Sequence, residues 1–324
     1  MSVLYGCGKS SETVVVYTSV DQVYSEKIFS LFEKQTGIRV KPVYDIEASK
    51  SVGLANRLIS EKNNPRADVF WNGEILQTLD LKEKDVLGKA DIAAAKELPS
   101  SFADSEGYWY GFGGRARALI YNKMLISPDK CPKTLKELAK SRYIKNTGIA
   151  YPVFGTTSTH SAALYAIWGD TEAKEFFTSI KKAGISVLEG NSVVKDYVSQ
   201  KKLYMGLTDT DDAFSEMEKN KDLDILLLDQ GENDTGALVI PNTAACIKGA
   251  PHPEQAVAFM EFLLSSEIEQ ALVNDGWIHI PVHSGVTPSK EFKADSIKIM
   301  DIDFNEVYKK LEASKKDMTE IFIS

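Results

Sequence analysis

Apolar residues in this chain fall into short β-branched runs, and between these runs they recur every three or four positions, the pattern expected of strands followed by helices. Thr13-Val14-Val15-Val16-Tyr17 predicts a buried strand. Val23, Ile28, Leu31 and Phe32 predict the helix after it, opened by Ser19-Val20-Asp21-Gln22 in the form of a capping box. Residues 38–44 and 67–71 repeat the strand. Val52, Leu54, Leu58 and Ile59, and then Ile75, Leu76 and Leu79, repeat the helix. This alternation implies a parallel sheet covered on both faces, where ligands bind beyond the carboxyl ends of the strands. Ser19, Ser49, Lys50, Trp71 and Glu74 fall at that rim. Each also has an ordinary reading, as cap, solvated charge or packing.

Residues 108–122 change character: aromatics, then Gly111, Gly113 and Gly114, Arg115 and Arg117, then an apolar run. Either the chain crosses between two domains here, with Arg115 reaching a ligand between them, or it forms a β-hairpin with a surface arginine. Residues 133–235 read as a second α/β lobe. Within it, a strand at 148–154 leads into Gly155-Thr156-Thr157-Ser158-Thr159-His160 and then an apolar helical run. A glycine and four hydroxyls at a helix start offer free amides and the positive end of the helix dipole to a small anion such as phosphate. The alternative is that Thr157, Ser158 or Thr159 only caps the helix. A second strand end, Thr208-Asp209-Thr210-Asp211-Asp212, gathers three carboxylates. Asp211 and Asp212 can complement a helix dipole, and Asp209 is the stronger candidate acceptor.

The chain has 324 residues, enough for two domains, and no apolar run of bilayer length. Its 46 acidic and 38 basic residues give a net charge of −8, which argues against a nucleic-acid surface. Three cysteines form no metal-type spacing and imply no disulfide framework. The four histidines lack zinc spacing, and no serine elbow, phosphate loop or dinucleotide fingerprint occurs. No cofactor is expected. A metal-dependent hydrolase built on Asp209 and Asp212 is one reading of what remains; binding without chemistry fits better.

Several runs together resemble the periplasmic solute-binding proteins of ABC importers: residues 47–50, 67–74, 113–117, 155–160 and 206–212, with the helix at 253–263. The likeness runs from about Val14 to Val282 and is greatest to the ferric-ion-binding family and its organophosphate-binding relatives. It implies a two-lobed type II periplasmic-binding-protein fold, each lobe a mainly parallel sheet flanked by helices. The expected division is a tether at residues 1–12, a first lobe from 13–114 and 236–284, and a second from 115–235 and 285–324. Glu74 matches a metal ligand of ferric members, and iron at Glu74 and Asp209 is the alternative ligand. The tyrosine pair of those members is replaced by residues 208–212, and their histidine after the first strand by Ser19 or Val20. This departure favours the organophosphate relatives.

On that reading Thr156, Thr157, Ser158, Thr159 and His160 hold a phosphate, Asp209 and Asp212 the polar remainder, and Trp71 stacks on a ring. The partners implied are a small organophosphate and an inner-membrane permease, met by a monomeric receptor. Leu4-Tyr5-Gly6-Cys7 is similar to the end of a bacterial lipoprotein signal, implying a periplasmic or cell-surface protein lipid-anchored at Cys7. An ordinary flexible amino terminus is the other reading of this segment.

Overall fold

The computed structural model describes residues 12–45, 52–278, 280–288 and 297–323. Ser49, Lys50 and Cys7 lie outside the described residues. The first half of the chain runs β1 (Thr13–Thr18), α1 (Gln22–Thr36), β2 (Arg39–Tyr44), α2 (Val52–Ser60), β3 (Val69–Asn72), α3 (Ile75–Glu83), β4 (Leu87–Gly88) and β5 (Tyr110–Asn122), then α4 (Leu135–Lys140), β6 (Thr147–Ala150) and α5 (Gly155–Trp168). The second half runs α6 (Asp170–Ala183), β7 (Ser186–Leu188), α7 (Asn191–Ser199), β8 (Met205–Asp209), α8 (Thr210–Met217), β9 (Leu223–Leu226), β10 (Val239–Ile247), α9 (Pro253–Leu263), α10 (Ser266–Asn274) and α11 (Phe304–Phe322).

The strands lie in the order β2-β1-β3-β10-β5-β8-β6-β7, with β4 beside β10 and β9 beside β5. β1 pairs in parallel with β2 and β3, and β6 in parallel with β7 and β8. The two long strands break that pattern. β10 runs antiparallel to β3, β4 and β5, and β5 antiparallel to β8 and β9. Each lobe's sheet is therefore mixed rather than mainly parallel, because chain segments that return between lobes meet the βα units head to tail.

β5 is one continuous 13-residue strand, so residues 108–122 form no hairpin. Residues up to Ala116 pair with β10, and from Arg117 onward they pair with β8 and β9, so the strand changes sheets between these neighbours. Gly113 has φ +51°, and a Cβ there would lie 2.3 Å from Ile278 Cδ1, so only glycine fits at this bend.

In the first lobe, an aromatic core sits behind β1 and β3. Trp71 meets Phe29 at 5.8 Å and Trp277 at 5.8 Å between ring centroids, both edge to face. In the second, α5 is buried from Thr156 through Tyr165 and packs against α11 and α6. A wholly apolar helix face is not needed there: Ser161 and Ser314 satisfy each other across α5 and α11 at 2.9 Å. Among the described residues no helix is long and apolar enough to cross a membrane.

Candidate ligand-binding cleft

A cleft of about 1040 Å³ opens between the lobes. Ser19, Asp21, Tyr24, Gly73 and Trp277 line it on one side, and Gly155, Thr156, Asn191, Asp209, Asp211 and Asp212 on the other. These positions follow from topology. Ser19 and Gly73 come just after β1 and β3, Gly155 and Asn191 open the helices after β6 and β7, and Asp209 ends β8, all at the carboxyl side of parallel strands. Arg115 enters from β5, where the strand changes sheets.

One part of the wall is a hydrogen-bond network around Asp209, which is buried. Its Oδ1 accepts from Arg117 Nη1 at 2.6 Å, and its Oδ2 from Thr156 Oγ1 at 2.5 Å and Asn191 Nδ2 at 2.9 Å. Asn191 Nδ2 also donates to Thr156 Oγ1 at 2.8 Å, while Asn191 Oδ1 accepts from Arg117 Nη1 at 3.1 Å and from Thr157 Oγ1 at 3.2 Å. Charge-assisted bonds of this kind fix side-chain geometry more firmly than neutral ones. On the opposite lobe Ser19 Oγ donates to Asn72 Oδ1 at 2.6 Å and accepts from the Gly73 amide at 3.0 Å.

The cleft is electrostatically lopsided. Among the described residues, Asp21, Asp209, Asp211, Asp212, Glu218 and Asp275 line it against a single cationic side chain, Arg115. Arg115 Nη2 donates to the Gly73 carbonyl at 2.6 Å, and its guanidinium lies 3.7 Å from Asp211 and 3.9 Å from Asp209. Burial opposes the Arg115 charge, but Asp211, Asp209, Glu74 and Asp212 outweigh it and raise its pKa. Burial, then repulsion from Asp211 and Asp209, pushes Asp212 up to about 7 against the pull of Lys195 and Arg115. Asp209, Asp211 and Asp212 each bring an oxygen within 4.8 Å of the others, close enough to share one cation.

The hydroxyl run at α5 divides. Only Gly155 and Thr156 of residues 155–160 line the cleft. α5 starts at Gly155 after Phe154, with no side-chain cap, so Thr157, Ser158 and Thr159 are not caps. Thr157 is tied to Asn191, and Ser158 Oγ is buried without a hydrogen-bond partner among the described residues. Thr159 Oγ1 donates at 2.9 Å to Glu74 Oε1 across the lobes. Glu74 itself caps α3 by accepting from the Leu76 amide at 2.9 Å, and burial raises its pKa despite that bond, the Thr159 hydroxyl and Arg115.

Two expected ligand contacts are corrected. Trp71 is fully buried in the first-lobe core, because β3 turns it away from the cleft toward Phe29 and Trp277. His160 lies one helical turn past the rim, beneath the cleft wall; burial and then Arg117 push its pKa down to about 3, so it is neutral. Asn191 and Arg117, by contrast, were not singled out as site residues. Asn191 follows a parallel strand end as Ser19 does. Arg117 sits two residues from Arg115, on the same face of β5, where the period of a strand also brings it to Asp209.

The sequence matches the bacterial extracellular solute-binding protein family over residues 27–299. The chain belongs to that family. Among its relatives, a Salmonella paratyphi A periplasmic protein named for 2-aminoethylphosphonate binding is 24% identical over 87% of this chain and 82% of its own length. The major ferric iron-binding protein of Neisseria meningitidis serogroup B is 23% identical, over 80% of this chain and 78% of its own. A Trichodesmium structure holding iron and citrate superposes with a TM-score of 0.86 at 21% identity, covering 96% of this chain and all of that one. The architecture is the two-lobed type II periplasmic binding fold. Its relatives are named for both kinds of ligand.

Proposed function

We propose that this family member is the substrate-binding component of an ABC importer and that it captures a small organic phosphate or phosphonate carrying a positively charged group. The observation that carries this reading is the polarity of the cleft. At one end the start of α5, which has no side-chain cap, offers its first amides to an anionic head, with Arg115 beside it. On the same wall, beside Asp209, Asp211 and Asp212 offer negative charge that a bare phosphate would have to oppose. A zwitterion uses both. The 2-aminoethylphosphonate named for the Salmonella relative has this chemistry.

In this reading the receptor works as a monomer without catalysing a reaction, closes about β5 and the segments near Gly236 and Val282, and hands its ligand to a membrane permease. Cys7 serves as its lipid attachment outside the inner membrane.

A second reading takes the three clustered carboxylates as a cation site and makes ferric iron the cargo. Against it, both oxygens of Glu74 and both of Asp209 already accept hydrogen bonds. Isothermal titration with 2-aminoethylphosphonate, phosphoethanolamine, ethylphosphonate, ethanolamine and ferric citrate separates the two. Binding of the two aminated compounds, weakened roughly tenfold or more when either charge is deleted, supports the zwitterion. Binding of ferric citrate alone overturns it.

A further inference from the structure

Behind the cleft wall, Arg117 has a second face. Its Nη1 serves Asp209, Thr156 and Asn191, and its side chain is 2% exposed, yet Nε and Nη2 find no acceptor among the described residues. Burying two guanidinium N–H groups without partners is costly. The same arginine lines a cavity of about 10 Å³, together with His160, Asp229 and residues 236–238, among others. That volume is roughly what one water requires.

The cavity's polar lining residues are Arg117, His160 and Asp229, set among Leu135, Leu207, Leu228 and residues 236–238. His160 is neutral and so keeps one ring nitrogen as an acceptor and one as a donor. An anion would do poorly there: Arg117 is already paired with Asp209, and Asp229 is among the lining residues. Residues 236–238 lead into β10, and the Arg117 amide donates to the Leu238 carbonyl at 2.9 Å. The cavity thus lies where β5 changes sheets and the returning chain runs beside it.

We infer that this cavity holds a single ordered water, which accepts from Nε and Nη2 of Arg117 and has the His160 imidazole as its other polar partner. The water completes the arginine's hydrogen bonding, so that the guanidinium supporting Asp209 is anchored on both faces: to the cleft wall in front and, behind, through the water to His160 of α5.

The test is water-selective NMR on the full chain, reading the Arg117 Nε–H. A cross-peak to a long-lived water is expected in the wild type and in His160→Gln, which keeps a donor and an acceptor. It is lost in His160→Phe, with a lower Tm and faster exchange of the Arg117 amide. Absence of the wild-type cross-peak, with His160→Phe at equal or higher Tm, would mean a dry cavity and overturn the inference. A bromide peak at this position in crystals soaked with bromide would also overturn it, in favour of an anion. If His160→Phe does not fold, the wild-type cross-peak decides alone.

Discussion

Arg117 Nη1 lies 2.6 Å from Asp209 Oδ1, and the two residues face each other directly in the β5–β8 ladder, at the step where β5 leaves one sheet for the other. Both side chains are almost wholly buried. The pair is therefore part of the crossing between lobes as much as of the cleft. Removing one partner strands the other charge. Arg117→Met should cost about 3–5 kcal/mol of stability, while Arg117→Met with Asp209→Leu should be considerably less damaging than the two single effects summed. Urea unfolding of the ligand-free protein measures both.

Position 156 is where the hydroxyl run meets the cleft. Thr156→Val should weaken the ligand by about 1–3 kcal/mol, through the lost hydroxyl and a loosened Asp209. Ser158→Ala should leave affinity unchanged and stability equal or slightly higher, since Ser158 Oγ is a buried group with no partner among the described residues. Titration calorimetry and thermal unfolding on both variants check this contrast.

Asp212 sets a pH dependence. Its carboxyl has a pKa of about 7 in the folded protein against an ordinary 3.8, so the folded state binds a proton that the unfolded state has released between these values. Stability from this group is fully present below pH 3.8 and is lost as pH rises through about 7. Asp212→Asn should therefore raise the Tm of the ligand-free protein above pH 7 and flatten its decline from pH 5 to 8. A cationic ligand group has the opposite preference, so its affinity should fall as pH drops below about 7 in the wild type and much less in the variant.

Trp71 should behave as a core residue. Trp71→Ala is expected to cost about 3–5 kcal/mol, and Trp71→Phe far less. Ligand affinity of the folded fraction should be the same in both. Loss of affinity in a well-folded Trp71→Phe protein would restore its role at the ligand.

Much of the architecture was legible because β1, β3 and β8 are β-branched or apolar runs ending in polar turns, and their helices keep clean spacing. The crossing at residues 113–117 was one of two readings its glycines allowed, the other being a hairpin, and the bend at Gly113 is what the glycine serves. What local pattern hid was the burial of α5. Its first turn is polar and looks solvated, yet α11, some 150 residues on, packs against the helix, with Ser314 bonded to Ser161. For the same reason His160 could not be separated from the rim by spacing alone. Trp71 misled because strand ends are where ligand contacts occur, and only the facing of β3 decides which side chains turn inward. Asn191 and Arg117 were within reach of rules already applied to Ser19 and Arg115.

The most direct test of the zwitterion reading is native mass spectrometry of the protein as isolated from its own cells, compared with the same sample after denaturation. Release on unfolding of a compound containing both phosphorus and an amine is the expected result. A retained mass equal to iron, with visible absorbance, and no phosphorus-containing compound, would contradict the account and make the carboxylate cluster the centre of an iron receptor.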